Sequence, residues 1–183
     1  MSDFSFELST EEKKYLKNLA YLSIKSELEG LESEFPQPVS SKMEEHLGAF
    51  VCLKINDRLR GCIGNIFGDR PLWETIARMA REAAFGDPRF QMLQRRELDL
   101  LELEISILGP LERVPDVEQI EPGKHGLLVR KGAHSGLLLP QVAADYGWDR
   151  KTFLAETCRK ASLPPPCYED PQTEIYWFKA VVF

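Results

Sequence analysis

The chain has 183 residues, of which 29 are acidic and 23 basic, for a formal net charge of −6. This length predicts one domain that is large enough to bury a hydrophobic core. The acidic balance, without a strongly basic stretch, argues against binding to a nucleic-acid backbone as a main role. The sequence shows neither a secretory signal nor an apolar run of membrane-spanning length, so we expect a cytoplasmic protein.

The four cysteines lie at positions 52, 62, 158 and 167, without the Cys-x-x-Cys spacing of a structural zinc site. Because thiols stay reduced in a cytosol, we expect four free thiols rather than a disulfide framework. Cys52 and Cys158 fall on core-like positions, and Cys167 follows three prolines in a loop. With only three histidines, a histidine-rich metal centre is not expected.

The first predicted element is a helix from Ser9 to Gly30. Ser9 and Glu12 have the spacing of a capping box, in which each side chain bonds the backbone N–H of the other. Apolar side chains recur along one stripe, and Gly30 is a natural helix end. Two prolines between Phe35 and Pro38 then predict a loop.

A β-hairpin is predicted next. It consists of the alternating run from Ala49 to Ile55, the turn pair Asn56-Asp57 and the stretch Leu59-Arg60-Gly61-Cys62-Ile63-Gly64. Side chains two residues apart share a face of a strand. One face of the return strand should therefore carry Arg60, Cys62 and Gly64, and the other face Leu59, Gly61 and Ile63.

A second helix is predicted from Pro71, which is favourable at a first helical position, to Gly86. A rigid, charged turn follows it. The clearest strand runs from Leu98 to Leu108. One of its faces is apolar, and the other is polar, as is usual for the solvent-exposed side of a sheet. That polar face consists of Glu102, Glu104 and Ser106. The segment from Glu112 to Pro122 should be irregular or carry a short acidic helix.

Two short strands, Leu127–Arg130 and Leu137–Leu139, should flank a glycine-bearing turn. A helix capped by Asp149 and a closing strand from Glu174 to Phe183 complete the predicted elements. Most strands are joined by short turns, and the helices fall in separate blocks. This arrangement predicts the α+β class, with a largely antiparallel sheet flanked by helices.

Cys62 is the first candidate for chemistry. A cysteine reacts as its thiolate, and a neighbouring cation such as Arg60 favours that form. Gly61 and Gly64 would let a substrate approach the backbone closely. The alternative is that Cys62 is a small buried residue in a tightly packed hairpin, where the glycines serve the twist of the strands.

His125 is the second candidate, because glycines on both sides place it in an exposed or tightly turned loop, where functional groups concentrate. It could act as the base for Cys62. It could also bind a phosphate, or a metal together with Glu102 or Glu104. The plainer alternative is a loop histidine that hydrogen-bonds the backbone.

The turn Asp87-Pro88-Arg89-Phe90 is the third candidate. Its proline fixes the backbone, so that Asp87 and Arg89 are held rigidly. Arg89 could then recognise an anion. The alternative is a self-contained salt bridge that closes the loop.

Several of these motifs occur in one order along the chain: Leu59–Gly64, Ala84–Phe90, Gly123–Leu127 and Gly136–Ala143, followed by Gly147-Trp148. In this combination the chain resembles the AMMECR domain family, whose prokaryotic members are called AmmeMemoRadiSam system protein A. The match extends over nearly the whole chain, and several separate motifs carry it.

The resemblance implies one α/β-type domain over residues 8–183, with a larger and a smaller lobe. It implies no established activity and no known cofactor, but an association with a Memo-like protein and a radical S-adenosylmethionine protein. It also implies a functional centre at the Arg60–Gly64 stretch. The catalytic candidates are Cys62, His125 and Arg60, and the binding candidates are Gly61, Gly64, Asp87, Arg89, Glu104 and Gln141.

Two functional hypotheses follow. In the first, an enzyme or enzyme component uses Cys62 as nucleophile or acceptor, with Arg60 stabilising the thiolate or an anionic substrate and His125 moving the proton. In the second, the protein is a non-catalytic partner that presents the surface of the same motif to another protein, with Arg60, Arg89 and Trp148 as contacts. A third, plainer hypothesis gives the motif a purely architectural role.

Overall fold

The computed structural model of the protein describes residues 6–32 and 35–183. Helices and antiparallel sheets make up this structure, which confirms the predicted α+β class. Contacts within the chain divide it into two compact units. The first unit comprises Phe6–Leu108 with Val181–Phe183, and the second comprises Gly109–Ala180.

The first unit consists of helices packed on one face of a four-stranded sheet. The helices are α1 (Thr10–Glu29) and α2 (Leu72–Arg81). The strands are β1 (Ala49–Ile55), β2 (Arg58–Asn65) and β3 (Glu102–Leu108), joined by β8 (Ala180–Val182) from the end of the chain. The spatial order β2-β1-β3-β8 makes β2 an edge strand.

The start of α1 forms the predicted capping box. The Ser9 hydroxyl accepts the Glu12 N–H at 3.1 Å, and the Glu12 carboxylate accepts the Ser9 N–H at 2.7 Å. Hydrogen bonds from the Ser40 hydroxyl and the Ser9 N–H hold the pKa of Glu12 at about 2. The helix ends at Gly30, whose φ of 64° is the left-handed conformation that glycine adopts most easily.

The hairpin also forms as predicted. Asn56 and Asp57 have φ values of 50° and 60°, which a two-residue hairpin turn of the I′ type requires. One face of the sheet is apolar and buried against the helices. Its residues are Ala49, Val51, Leu53, Ile105 and Ile107.

The second unit is built around an antiparallel sheet in the order β4-β7-β5-β6. Its strands are β4 (Glu112–Arg113), β5 (Gly126–Lys131), β6 (His134–Leu138) and β7 (Glu174–Phe178). Two helices accompany the sheet, α3 (Pro140–Asp145) and α4 (Arg150–Lys160). The core between α4 and the sheet includes Leu127, Val129, Phe153, Leu154, Cys158 and Trp177.

Some predicted boundaries are wrong, for local reasons. The second helix ends at Arg81, because the chain widens into a π-helical turn over Glu82–Gly86. The strand predicted from Leu98 begins at Glu102, because Arg95–Leu100 forms a 3-10 turn. At the start of that turn, the Glu97 carboxylate accepts the Gln94 N–H at 2.9 Å.

The expectation of four reduced thiols is wrong for this structure, in which all four cysteines are paired. Cys52 is bonded to Cys62, with Cα atoms 4.1 Å apart, and Cys158 to Cys167, with Cα atoms 5.8 Å apart. The expectation rested on the compartment alone, which carries no information on which cysteines meet in space. The hairpin register places Cys52 directly opposite Cys62. Cys167, which was predicted to lie in a loop, is buried and begins a short 3-10 helix, Cys167–Glu169.

Among the described residues, no helix combines the length and the apolar character that crossing a bilayer requires.

Candidate functional site

The predicted motif lies on the edge strand β2, which contains a β-bulge at Arg60. Gly61 pairs with Leu53 of β1, and Leu59 pairs with Lys54, so Arg60 is one extra residue between the two pairs. A bulge of this kind breaks the alternation of side chains and can re-aim one of them.

The predicted division of the motif between two faces holds for Gly61 to Gly64 but is wrong for Leu59 because of this bulge. Leu59 lies opposite Lys54, and Cys62 lies opposite Cys52. Lys54 and Cys52 are two residues apart on β1. Because residues two apart on a regular strand share a face, Leu59 and Cys62 also lie on one face. The sequence alone had placed them on opposite faces.

The outward edge of β2 is covered by the Asp87–Arg89 turn. The N–H of Cys62 donates to the Asp87 carboxylate at 2.9 Å, and the Arg89 guanidinium donates to the Cys62 carbonyl at 3.2 Å. Edge strands otherwise leave such backbone groups open to another strand. The two sequence motifs therefore form one interlocked unit, in which side chains occupy the place of a further strand.

Asp87 is the centre of this interlock. It is 4 % exposed and also accepts the backbone N–H of Arg89 at 3.1 Å. The Arg89 guanidinium donates two more hydrogen bonds to it, at 2.9 Å and 2.7 Å. These bonds and the Cys62 N–H hold the pKa of Asp87 well below its usual range. The salt bridge that closes the loop, one of the two predicted alternatives, is therefore present.

Arg60 is held by a carboxylate that no motif in the sequence indicates, that of Glu97. Its Nε and Nη2 atoms donate to the two oxygens of Glu97 at 2.7 Å and 3.0 Å, and Nη2 also donates to the Met92 carbonyl at 3.3 Å. The guanidinium lowers the pKa of Glu97. Glu97 lies 37 residues from Arg60, so no local spacing in the sequence signals the pair.

The motif glycines are close-packed. A Cβ on Gly61 would overlap the Ala83 carbonyl oxygen in the π-helical turn, and a Cβ on Gly64 would overlap the ring of Phe50. Protein atoms therefore occupy the space that was predicted to admit a substrate. This is the arrangement of the packed-hairpin alternative.

His125 lies in the second unit, whereas Cys62 and Arg60 lie in the first. It is only 3 % exposed, so its glycine-bearing turn is tight rather than open. Its Nδ1 accepts the N–H of Glu121 at 3.1 Å, which is the backbone bond of the plainer alternative. Its ring lies 4.8 Å from that of Trp177, and burial lowers the pKa of His125.

The two remaining binding candidates lie in different units. Glu104 of β3 is half-buried and accepts a hydrogen bond from Lys54 at 2.8 Å. Gln141 is half-buried in the first turn of α3. Across residues 6–32 and 35–183, no group of three or more His, Cys, Asp or Glu side chains is arranged to hold a metal ion.

Comparison with known proteins gives one consistent family. The AMMECR1 family model matches residues 17–183. The chain is 40% identical over 175 residues to Protein NEQ441 of Nanoarchaeum equitans, covering 92% of this chain and 97% of that protein. It is also 40% identical over 184 residues to a protein of Methanothermobacter thermautotrophicus, covering 96% and 95%.

A solved structure has the same fold. The crystal structure of the uncharacterized protein PH0010 from Pyrococcus horikoshii superimposes with a TM-score of 0.92 at 39% sequence identity. The match covers 97% of this chain and 93% of that chain.

Proposed function

This chain belongs to the AMMECR1 family, and from that premise we propose that it is a non-catalytic binding component of a protein assembly in the cytoplasm. It presents its edge-strand motif to a partner protein. The partner is the Memo-like protein or the radical S-adenosylmethionine protein that the family resemblance implies.

The observation that carries this proposal is the interlock of the two motifs. The N–H and the carbonyl of Cys62 are bonded to Asp87 and Arg89, and Arg60 is bonded to Glu97. The cation that would activate a thiol is thus bound to a carboxylate, and the Cys62 sulfur is bonded to Cys52. These groups build a rigid surface, and rigidity favours binding because little conformational freedom is lost on association.

Exposed apolar side chains and one half-buried aromatic ring lie beside the interlock. Met92, whose carbonyl accepts from Arg60, is 68% exposed, and Leu59 is 43% exposed. The half-exposed Arg89 guanidinium lies 5.4 Å from the ring centre of Phe90. We call these four residues the motif surface. Arginine, aromatic residues and methionine are enriched at protein interfaces, which supports a role in partner binding.

The proposal is tested by calorimetric titration of the full chain with each of the two partner proteins from the same organism. Met92→Ala removes an exposed side chain and leaves the carbonyl that Arg60 uses, so the fold should remain intact. We expect this variant to bind at least about fivefold more weakly than the wild-type protein. Response to one partner alone identifies which of the two proteins docks here.

Leu31→Ala is the matched control, because Leu31 is 62% exposed in the same unit and lies outside the motif surface. It should bind as the wild-type protein does. Failure of both partners to bind, or equal binding by Met92→Ala and wild type, would contradict the proposal.

The second candidate function is thiol chemistry at Cys62, and one observation favours it. Cys62 is half-buried, whereas its partner Cys52 is only 8% exposed. A dithiol reductant such as dithiothreitol would supply two electrons and two protons to the disulfide, leaving two thiols and oxidised dithiothreitol. Cys62 would then be the more accessible nucleophile.

A double variant, Cys52→Ser with Cys62→Ser, separates the two candidate functions. If the protein is a binding component, the variant binds its partner and complements a strain that lacks the gene. If thiol chemistry is the function, the variant still binds its partner but fails to complement. Cys158→Ser with Cys167→Ser is the matched control for loss of a disulfide elsewhere in the chain.

A further inference from the structure

A stacked pair of aromatic rings lies between α3 and α4 in the second unit. The ring centres of Tyr146 and Trp148 are 5.0 Å apart, and the ring planes are inclined by 16°. Trp148 is half-buried and packs against the core of the unit, whereas Tyr146 is 71% exposed. Tyr146 therefore contacts Trp148 with one face of its ring and leaves most of the rest open to solvent.

The backbone that carries the two rings is fixed by hydrogen bonds to α3. The N–H groups of Tyr146, Gly147 and Trp148 donate to carbonyls of that helix at distances between 2.9 Å and 3.2 Å. Gly147 has a φ of 61°, in the left-handed region that glycine adopts most easily, and so reverses the chain between the two rings. Because the backbone is already ordered, little conformational freedom is lost when a partner contacts the rings.

A cavity of about 440 Å³ adjoins the stacked pair. Asp149, which directly follows Trp148 in the chain, lines this cavity together with Glu169. Its apolar part includes the buried Leu154 and the half-buried ring of Tyr168. The volume is within the range of cavities that enclose a small ligand. We call the stacked pair and the lining of this cavity the aromatic surface.

A second cavity of this unit, of about 520 Å³, lies beside His125 and is bordered by charges that pair with one another. Glu121 of its lining is paired with Lys124 at 2.7 Å. Glu118, which lines both cavities, is paired with Arg150. These ion pairs contribute little net charge to either cavity.

The remaining charges of the aromatic surface are mainly negative. Asp149 and Glu169 of the cavity and Asp145, which precedes Tyr146, are exposed and form no ion pair within the described part of the chain. Lys151 is the one cation of the cavity lining that likewise has none. Three carboxylates against one cation make this surface attractive to a positively charged partner.

We propose that the aromatic surface binds a basic segment of a partner protein, with an arginine side chain on the open face of Tyr146 and a second one in the cavity. Cations are attracted to the faces of aromatic rings. In the cavity, the guanidinium would pair with Asp149 or Glu169, and its alkyl stem would pack on Leu154 and Tyr168.

Other ligand classes fit this surface less well. A nucleic acid would bring phosphates next to the carboxylates, which repel them. A neutral sugar would stack on the rings but would gain nothing from the excess of negative charge. None of these residues belongs to the motif surface, so the proposal stands whether or not the motif surface binds a partner.

The test follows the indole N–H signal of Trp148 in the ¹⁵N-labelled full chain by NMR. Of the three tryptophan signals, it is the one that Trp148→Phe lacks. The probe is a short capped peptide in which arginine and glycine alternate. We expect a saturable shift with an apparent dissociation constant of about 1 mM or below. Binding should weaken at least about threefold when sodium chloride is raised from about 50 mM to about 300 mM.

Two further probes define the chemistry of the ligand. The same peptide with glutamate in place of arginine should give no saturable shift, and maltotriose tests a neutral sugar. The proposal would be overturned by a lack of response to the arginine peptide, by an equal response to the glutamate peptide, or by saturable binding of maltotriose alone.

Tyr146→Ala tests the stacked pair. Because Tyr146 is exposed, the fold should remain intact, and the variant should bind the arginine peptide at least about threefold more weakly. Phe67→Ala is the matched control, because Phe67 is a 68% exposed aromatic residue of the first unit. It should bind as the wild-type protein does.

Asp149→Asn and Glu169→Gln test the charges of the cavity. Asparagine caps a helix as well as aspartate does, so α4 should stay intact. Each variant should bind the arginine peptide several-fold more weakly and with a smaller salt dependence, whereas Asp57→Asn, at an exposed position of the first unit, should bind as wild type does. Unchanged binding in Tyr146→Ala, or in both charge variants, would place the peptide elsewhere and overturn the proposal.

Discussion

The interlocked motif of the first unit and the His125 cavity of the second unit differ in how their polar groups are bonded. In the motif, Asp87 accepts four hydrogen bonds, from Cys62 and Arg89, and Arg60 is bonded to both oxygens of Glu97. Beside the cavity, His125 accepts one backbone N–H, from Glu121. Each site also has one buried donor without a partner among the described residues, Nη1 of Arg60 in the motif and the Trp177 N–H beside the cavity.

The number of these bonds indicates a structural role for the motif. Charges that satisfy each other hold elements together and leave little for a substrate. The sequence pattern is most distinctive at the motif, yet the charged groups of the motif are bonded to one another. A distinctive sequence pattern therefore does not by itself locate chemistry.

The largest effect is expected from Gly61→Ala. The new methyl group would overlap the Ala83 carbonyl, so the strand and the π-helical turn must separate, at a cost of about 3 kcal/mol in unfolding free energy. Gly132→Ala is the comparison: its φ is 58° but nothing lies near its Cβ, so it should lose only about 1 kcal/mol through backbone strain. Urea denaturation of both variants measures the difference, and equal losses would contradict close packing at the motif.

Asp87→Asn should have the next largest effect, about 2 kcal/mol at pH 7, because it weakens the bonds to Cys62 N–H and Arg89. The lowered pKa of Asp87 means that this stabilisation is complete above the unfolded carboxyl value of about 3.9. It is lost as the pH falls from there through the folded value. Denaturation curves should therefore show that the difference in unfolding free energy between wild type and variant decreases only below about pH 4.

Asp57→Asn is the control for that series, since Asp57 is exposed in the hairpin turn and asparagine tolerates its positive φ. It should change the unfolding free energy by less than about 0.5 kcal/mol. If Asp87→Asn and wild type have the same unfolding free energy at pH 7, the Asp87 interlock does not hold the motif.

The smallest effect is expected at the cavity, from the pH dependence of His125. Burial lowers its folded pKa below the ordinary value of 6.5, so the unfolded chain binds more protons between the two values and stability rises with pH there. Wild type should lose stability relative to His125→Asn as the pH falls below about 6.5. If the unfolding free energies of the two proteins change in parallel between about pH 8 and pH 5, His125 is not buried as described.

Local signals in the sequence predicted the parts of the fold that local interactions decide. The capping box of Ser9 and Glu12, the Asn56-Asp57 turn and the Asp149 cap all form as their spacing indicates. The salt bridge between Asp87 and Arg89 is one of the two predicted alternatives for that turn. It was predictable because the two residues are close in the chain.

The rest of the site depends on contacts between distant residues, which no spacing reveals. Arg60, the extra residue of the bulge, is bonded to Glu97, which lies 37 residues away in the chain. The cover over the edge strand depends on the hydrogen bond between Asp87 and Cys62, which are 25 residues apart. His125 is buried because Trp177 packs against it, so its flanking glycines indicated a turn but not its burial.

The central claim, that the turn covers the edge strand and fixes the motif, is tested most directly by hydrogen exchange at the Cys62 amide in the native full chain. If Asp87 accepts this N–H as described, the amide exchanges slowly, like those inside the sheet. Exchange as fast as at the exposed hairpin turn would show that the edge is open. It would contradict the account of a rigid motif surface.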